Sequence, residues 1–198
     1  MGLEIEYIDG QTPLSDEEKE GLLIKTITTH GELNEFEQQN IEKAIEWTLT
    51  KKFKKEQILS EDFVCQLHHK MYGDVWAWAG KFRKSEKNIG IKAYQIGTSL
   101  KQLNDDCLHW IENKTYSEEE IAIRYSHRVV AIHCFANGNG RHSRLMADVI
   151  MSHIFGKGVF TWSRSNLASK GDPRTNYLNA VRAGDKNDIE PLIAFAKS

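Results

Sequence analysis

Apolar positions along this 198-residue chain recur mostly three and four apart, the period of helices that bury one side. Ser15 with Glu18 has the spacing of a capping box ahead of Gly21-Leu22-Leu23-Ile24. Asn34 with Glu37 repeats that signal before a helix whose apolar stripe is Ile41, Ile45 and Leu49. Ser60 opens another, with Phe63, Leu67 and Met71 on one face and Gly73 as its stop. Leu100, Leu103, Cys107, Leu108 and Ile111 trace a further apolar face, and Ser117 with Glu120 caps the helix that ends in Val129, Val130 and Ile132. The pattern then predicts helices from Arg141 to Phe155, closed by Gly156, from Asp172 through Val181, and from Asp188 to Ala196.

Residues 81–96, KFRKSEKNIGIKAYQI, break the rhythm. Partial alternation around Ile89, Ile91, Tyr94 and Ile96, with a Gly and an Asn between, predicts a short β-hairpin. The fold class expected is therefore mainly α, one domain with a single hairpin.

Composition narrows the function classes without choosing one. A net charge of −2 argues against nucleic acid as partner, and KKFKK at 51–55 reads as a solvated helix end. No window has the apolar length of a membrane span, and the acidic N-terminus is not a signal peptide. Cys65, Cys107 and Cys134 have no metal-ligand spacing and read as reduced thiols, so a cytoplasmic protein is expected.

The chemistry concentrates in HCFANGNGRHSR, residues 133–144. An apolar helix delivers His133 to a turn in which Gly138 and Gly140 can bring bare backbone close to a ligand. Successive amides in such a turn, and the positive end of the helix that follows, form an anion site. Arg141 and Arg144 lie one turn apart, so two guanidinium groups can bind the same phosphates. An imidazole with a reference pKa of about 6.5 beside them suits a general base that deprotonates an attacking hydroxyl.

The stretch resembles the Fic (filamentation induced by cAMP) signature HPFx[D/E]GNGRxxR at His133, Phe135, Gly138, Asn139, Gly140, Arg141 and Arg144. The likeness extends over about residues 55–197, and among relatives the chain is most similar to the group called mobile mystery protein B. It implies a Fic-type helical bundle at 55–198 with a β-hairpin flap, preceded by an N-terminal helical extension at 1–54. It implies transfer of AMP from ATP to a Ser, Thr or Tyr hydroxyl of a target protein docked on the flap at 81–96. His133 would be the base, and Gly138, Asn139, Gly140, Arg141 and Arg144 would bind the nucleotide phosphates, with Phe135 anchoring the loop. Toxin–antitoxin arrangements occur in such families, so an antitoxin or a second copy of the chain is an expected partner.

Two positions depart from the signature. Cys134 replaces a proline and reads as a small buried hydrophobe. Asn137 replaces the acidic residue that helps hold Mg²⁺, so the metal is expected to bind through a neutral amide oxygen and more weakly. Upstream, Thr28 and Glu32 have the spacing of the family's inhibitory motif, in which a glutamate pairs with the second arginine, although Leu33 stands where Gly or Asn belongs. Glu32 is thus the inhibitory candidate, and a first-turn acid of the next helix is its plainer role. Transfer of another phosphate-containing group, or a nucleotide-binding regulator without turnover, are the competing functions.

Overall fold

The computed structural model describes residues 12–164 and 172–198. Nine α-helices fill them: α1 (Asp16–Glu20), α2 (His30–Thr50), α3 (Lys55–Ile58), α4 (Glu61–Tyr72), α5 (Ile96–Asn113), α6 (Glu118–Ile132), α7 (Asn139–Val149), α8 (Asp172–Gly184) and α9 (Glu190–Lys197). A π-turn, Ile150–Ile154, extends α7, so the expected long helix to Phe155 is present with a widened last turn.

Most helix starts sit where the sequence placed them, because capping is a local interaction. Ser15 and Glu18 form a full capping box on α1. The Ser60 and Ser117 side chains accept from the amides of Phe63 and Glu120. Two expectations shift. The box of α2 is Thr29 with Glu32, five residues before Asn34 with Glu37, and α1 stops at Gly21. The buried side of α2 is also rotated away from the simple apolar stripe. It carries Leu33, Glu37, Asn40, Ile41, Ala44 and Thr48, while Ile45 and Leu49 face outward. A helix that buries a glutamate and an asparagine on its core face is serving polar partners there.

The expected β-hairpin at 81–96 does not form, and there is no strand among the described residues. The segment is a bent loop ending in a single 3₁₀ turn, Ala93–Gln95, that leads into α5. Its backbone pairs elsewhere: the Arg83 amide donates to Cys134 O (2.9 Å) and the Ile91 amide to Ile132 O (3.4 Å). The Arg83 guanidinium fills the inside of the loop, donating to Ser85 O (2.9 Å) and to Ile91 O. Satisfied from within by a side chain, the two arms need no ladder between them.

α6 and α7 pack as a hairpin whose connection is the 133–138 loop, with α5 against α6 and α2 against α4. α4 also meets α7, and α8 with α9 closes the far side of α6 through Ile123, Tyr177, Ile189 and Leu192. The core runs through Leu67, Met71, Leu100, Leu103, Tyr125, Phe135 and Met146, directly beneath that connection. Burying a side chain the size of Phe135 contributes about 2–3 kcal/mol.

Candidate functional site

α6 ends because His133 turns left-handed, with φ 59° and ψ 61°. That conformation is uncommon for a residue bearing a Cβ. Close approach by residue 90 accompanies it: a Cβ built on Gly90 would lie 2.5 Å from the His133 Cβ, so only glycine fits there. The Arg83 Nε–H donates to His133 O at 2.7 Å and holds the turn.

The loop after His133 is framed from inside. Asn139, the first residue of α7, donates to Phe135 O (2.8 Å) and accepts from the Phe135 amide (2.9 Å). The structure places its side chain in the loop's frame, buried, with both ends engaged. Phe135 stacks on His68 with ring centroids 3.7 Å apart. His68 accepts from the Gly80 amide at Nδ1, which leaves Nε2–H to donate to Asn137 O at 3.0 Å. One buried ring therefore joins α4, the 80s loop and the motif. Burial holds its pKa well below the ordinary histidine value. The sequence reading gave His68 no part in the site. The signal for His68 was its apolar surroundings, Phe63, Leu67 and Met71, on a buried face.

Gly138 caps α7 with φ 78°, and the Tyr72 ring lies where its side chain would be. The first ladder bond of α7 runs from His142 to Gly138 O, so the amides of Asn139, Gly140 and Arg141 stand ahead of it at the positive end of the helix. Arg141 lies over the Tyr72 ring and Arg144 over the Tyr177 ring, at 5.1 and 5.0 Å. The structure thus gathers Gly138, Gly140, Arg141 and Arg144 at one helix start, beside His133 at the other end of the same short loop.

His133 is almost fully buried. Its Nδ1 faces Val130 O (3.3 Å) and must carry the proton to donate there, which leaves Nε2 as an acceptor. Burial pushes its pKa down to about 4, with the Arg83 and Lys87 charges adding to the effect against the Val130 bond. The ring is therefore neutral near pH 7, with its lone pair on Nε2. That lone pair meets the Thr12 hydroxyl at 2.8 Å.

Two acids upstream have different places. Glu32 is exposed, and its carboxylate accepts from the amides of Thr28 (2.9 Å) and Thr29 (3.1 Å) as the capping acid of α2. These bonds hold its pKa below the usual carboxylate value. The expected contact with Arg144 is not made, and Arg144 pairs with no carboxylate among the described residues. One turn and a half further on, Glu37 is buried. It bonds Arg141 Nη2 at 2.6 Å and accepts from Trp76 Nε1 at 2.7 Å. Sequence reading gave Glu37 a capping role at a helix start. Its position i+4 to Leu33 and i−4 to Ile41, both core residues, was the available signal.

The donor set at 137 does not fit a protein-held Mg²⁺. Asn137 Oδ1 accepts from the Gly138 amide at 2.6 Å, and Nδ2 donates to Thr12 O at 3.1 Å. No group of three or more His, Cys, Asp or Glu suited to a metal occurs among the described residues. No helix of the described residues is long and apolar enough to cross a membrane.

Residues 58–151 match the model of the Fic/DOC family. The chain is 24% identical over 137 residues to a Drosophila virilis protein described as protein adenylyltransferase Fic, covering 67% of this chain and 26% of that protein. It therefore spans about a quarter of that relative's length. The solved structure of Fic-1 (residues 134–508) from C. elegans is similar with a TM-score of 0.63 and 21% identity, over 80% of this chain and 46% of that one. BepC from Bartonella tribocorum, solved with bound AMPPNP, is similar with a TM-score of 0.67 and 18% identity, over 92% and 97% of the two chains. At these identities the structures show a shared fold.

Proposed function

Since residues 58–151 of this chain are a Fic domain, we propose that the protein is a nucleotidyltransferase that moves AMP from ATP to a Ser, Thr or Tyr hydroxyl of a target protein. The observation that carries this reading is the tautomer and placement of His133: a neutral ring with Nε2 free to accept a proton, meeting a hydroxyl at 2.8 Å beside the start of α7. The hydroxyl oxygen attacks the α-phosphorus, His133 Nε2 takes its proton, and pyrophosphate leaves. The α7 amides with Arg141 and Arg144 stabilise the charge on the phosphates. The target lies along 81–96, where Lys87 and the motif's Asn137 offer donors to an extended chain. Magnesium comes on the triphosphate. The chain gives it no carboxylate at 137, and the steps above do not pass through it.

The fold holds this machinery closed. Glu37 occupies Arg141, and Thr12 occupies His133. The brake expected of Glu32 is better supplied by Glu37, acting on the first arginine of the motif. Asn137 favours a second reading, a nucleotide-binding regulator without turnover.

The deciding experiment incubates the protein and a cell lysate with ATP labelled at the α- or the γ-phosphate. We expect α-label above the lysate background with the natural chain, none above it with His133→Ala, and the same background of γ-label in both cases. His133-dependent transfer of γ-label would make it a phosphotransferase. ATP binding with no label transferred under any divalent cation would establish the regulator instead.

A further inference from the structure

Thr12 stands 121 residues from His133 in sequence, yet its hydroxyl lies 2.8 Å from the ring nitrogen that acts as base. It is 5% exposed. The hydroxyl must be the donor in this contact, because Nδ1 holds the ring proton against Val130 O. Thr12 thus uses the same lone pair that an incoming target hydroxyl needs.

The contact is built from several sides. Asn137 Nδ2 donates to Thr12 O at 3.1 Å, and Lys87 Nζ donates to Pro13 O at 2.9 Å. Leu14 is buried. The next residue, Ser15, caps α1, and Glu18 of that helix pairs with Lys87 and accepts from Ser85 Oγ at 2.8 Å. The Glu18 carbonyl accepts from Trp78 Nε1 at 3.0 Å. Both contacts to residues 12 and 13 grip main-chain carbonyls from the motif and from the 80s loop. That is how an enzyme holds an extended acceptor without reading its sequence. Asn137 suits this task better than an acid. Its amide donates to Thr12 O while its oxygen accepts from Gly138, and a carboxylate could only accept.

Resting on the function proposed above, we infer that Thr12 is an intrachain acceptor: the protein transfers the nucleotidyl group to its own Thr12. A nucleoside triphosphate supplies the group. The Thr12 Oγ–phosphorus bond forms, the bond from the α-phosphorus to the pyrophosphate oxygen breaks, the hydroxyl proton passes to His133 Nε2, and pyrophosphate departs. The product has no proton left to give His133, and it carries a nucleotide that a niche closed around a threonine cannot enclose. Residues 12–18 then come away, and the same base becomes open to hydroxyls of other proteins. They act as the first substrate and as the cover.

The test incubates the full chain with ATP labelled at the α-phosphate, and the label is mapped by peptide mass spectrometry. We expect label on Thr12 with a first-order rate that does not change over a tenfold dilution. Thr12→Val, which keeps the shape and loses the hydroxyl, should remove that label, and Thr12→Ser should keep it. Asn137→Asp should slow labelling of Thr12 about tenfold relative to labelling of lysate proteins. Label on other residues or lysate proteins with Thr12 unmodified overturns this inference and leaves the transferase reading standing. A labelling rate that falls with dilution overturns the intrachain route. No label on any protein, from the natural chain or Thr12→Val, overturns both.

Discussion

The motif loop is held from two sides by different kinds of bond. Inside, the rings of Phe135, His68, His142 and Tyr72 pack together in full burial, and Asn139 bonds both ends of its amide to Phe135. Outside, Thr12 covers His133 and Glu37 covers Arg141, each through one or two polar contacts made by elements from the N-terminal quarter. Burial of aromatic surface is lost only on unfolding. A hydrogen bond or a partly exposed ion pair exchanges with water or a ligand for little free energy. The same loop thus has a permanent floor and a removable lid, as the phosphate site proposed above requires.

The widest gap between the two sides should appear on cutting the floor. Phe135→Ala leaves a cavity between His68, Phe82 and His142. We expect a stability loss of about 3–5 kcal/mol, read as a lower urea midpoint. A loss under about 1 kcal/mol would mean that the polar cover, rather than the aromatic floor, holds the loop.

How much of this was legible in the sequence follows the same division. The loop was, because His133, Gly138, Arg141 and Arg144 fall within twelve residues and their convergence at the start of α7 depends on local geometry. The caps at Ser15, Ser60 and Ser117 were legible for the same reason. The lid was not. Thr12 and Glu37 meet the motif across 121 and 104 residues, and nothing in their local spacing points there. The alternation at 89–96 misled because Ile89 and Tyr94 face outward, at 41% and 82% exposure, while Ile96 is buried as the first residue of α5. The hydrogen bonds a hairpin would need are supplied by Arg83, whose role no periodicity reveals.

Acid should separate the two sides next. Burial pushes the pKa of His142, on the floor, down to about 4, and that of His133, under the lid, to about 4 as well. In the unfolded chain both return to about 6.5. Between those values the unfolded state binds more protons, so stability is fully present above pH 6.5 and falls as pH drops towards 4. The loss is roughly 3 kcal/mol per histidine. Asp148 works the other way. Burial raises it to about 6, so the folded state takes up a proton first as pH falls. His142→Gln should flatten the decline of Tm between pH 6.5 and 4. Leu14→Ala, which loosens the lid without changing charge, should move His133 back towards 6.5 by NMR titration and leave His142 near 4. Equal movement of both rings would show that floor and lid are one unit.

The smallest effect is expected at Arg141, and it tests the lid most directly. Glu37 puts a carboxylate oxygen 2.6 Å from the Arg141 guanidinium, where the proposed function places a nucleotide phosphate. Arg141 keeps about a quarter of its side chain exposed, so water replaces part of what is lost when the pair breaks. Glu37→Gln retains an oxygen for Trp76 Nε1 and removes the charge that competes with phosphate. Stability should fall by about 1 kcal/mol. Titration calorimetry with ATP should show binding about tenfold tighter, because that is the ratio given by one charge-assisted hydrogen bond of about 1.4 kcal/mol no longer broken on binding. Unchanged or weaker binding would place Glu37 in the floor, as a strut for Arg141 and Trp76 that nucleotide never displaces.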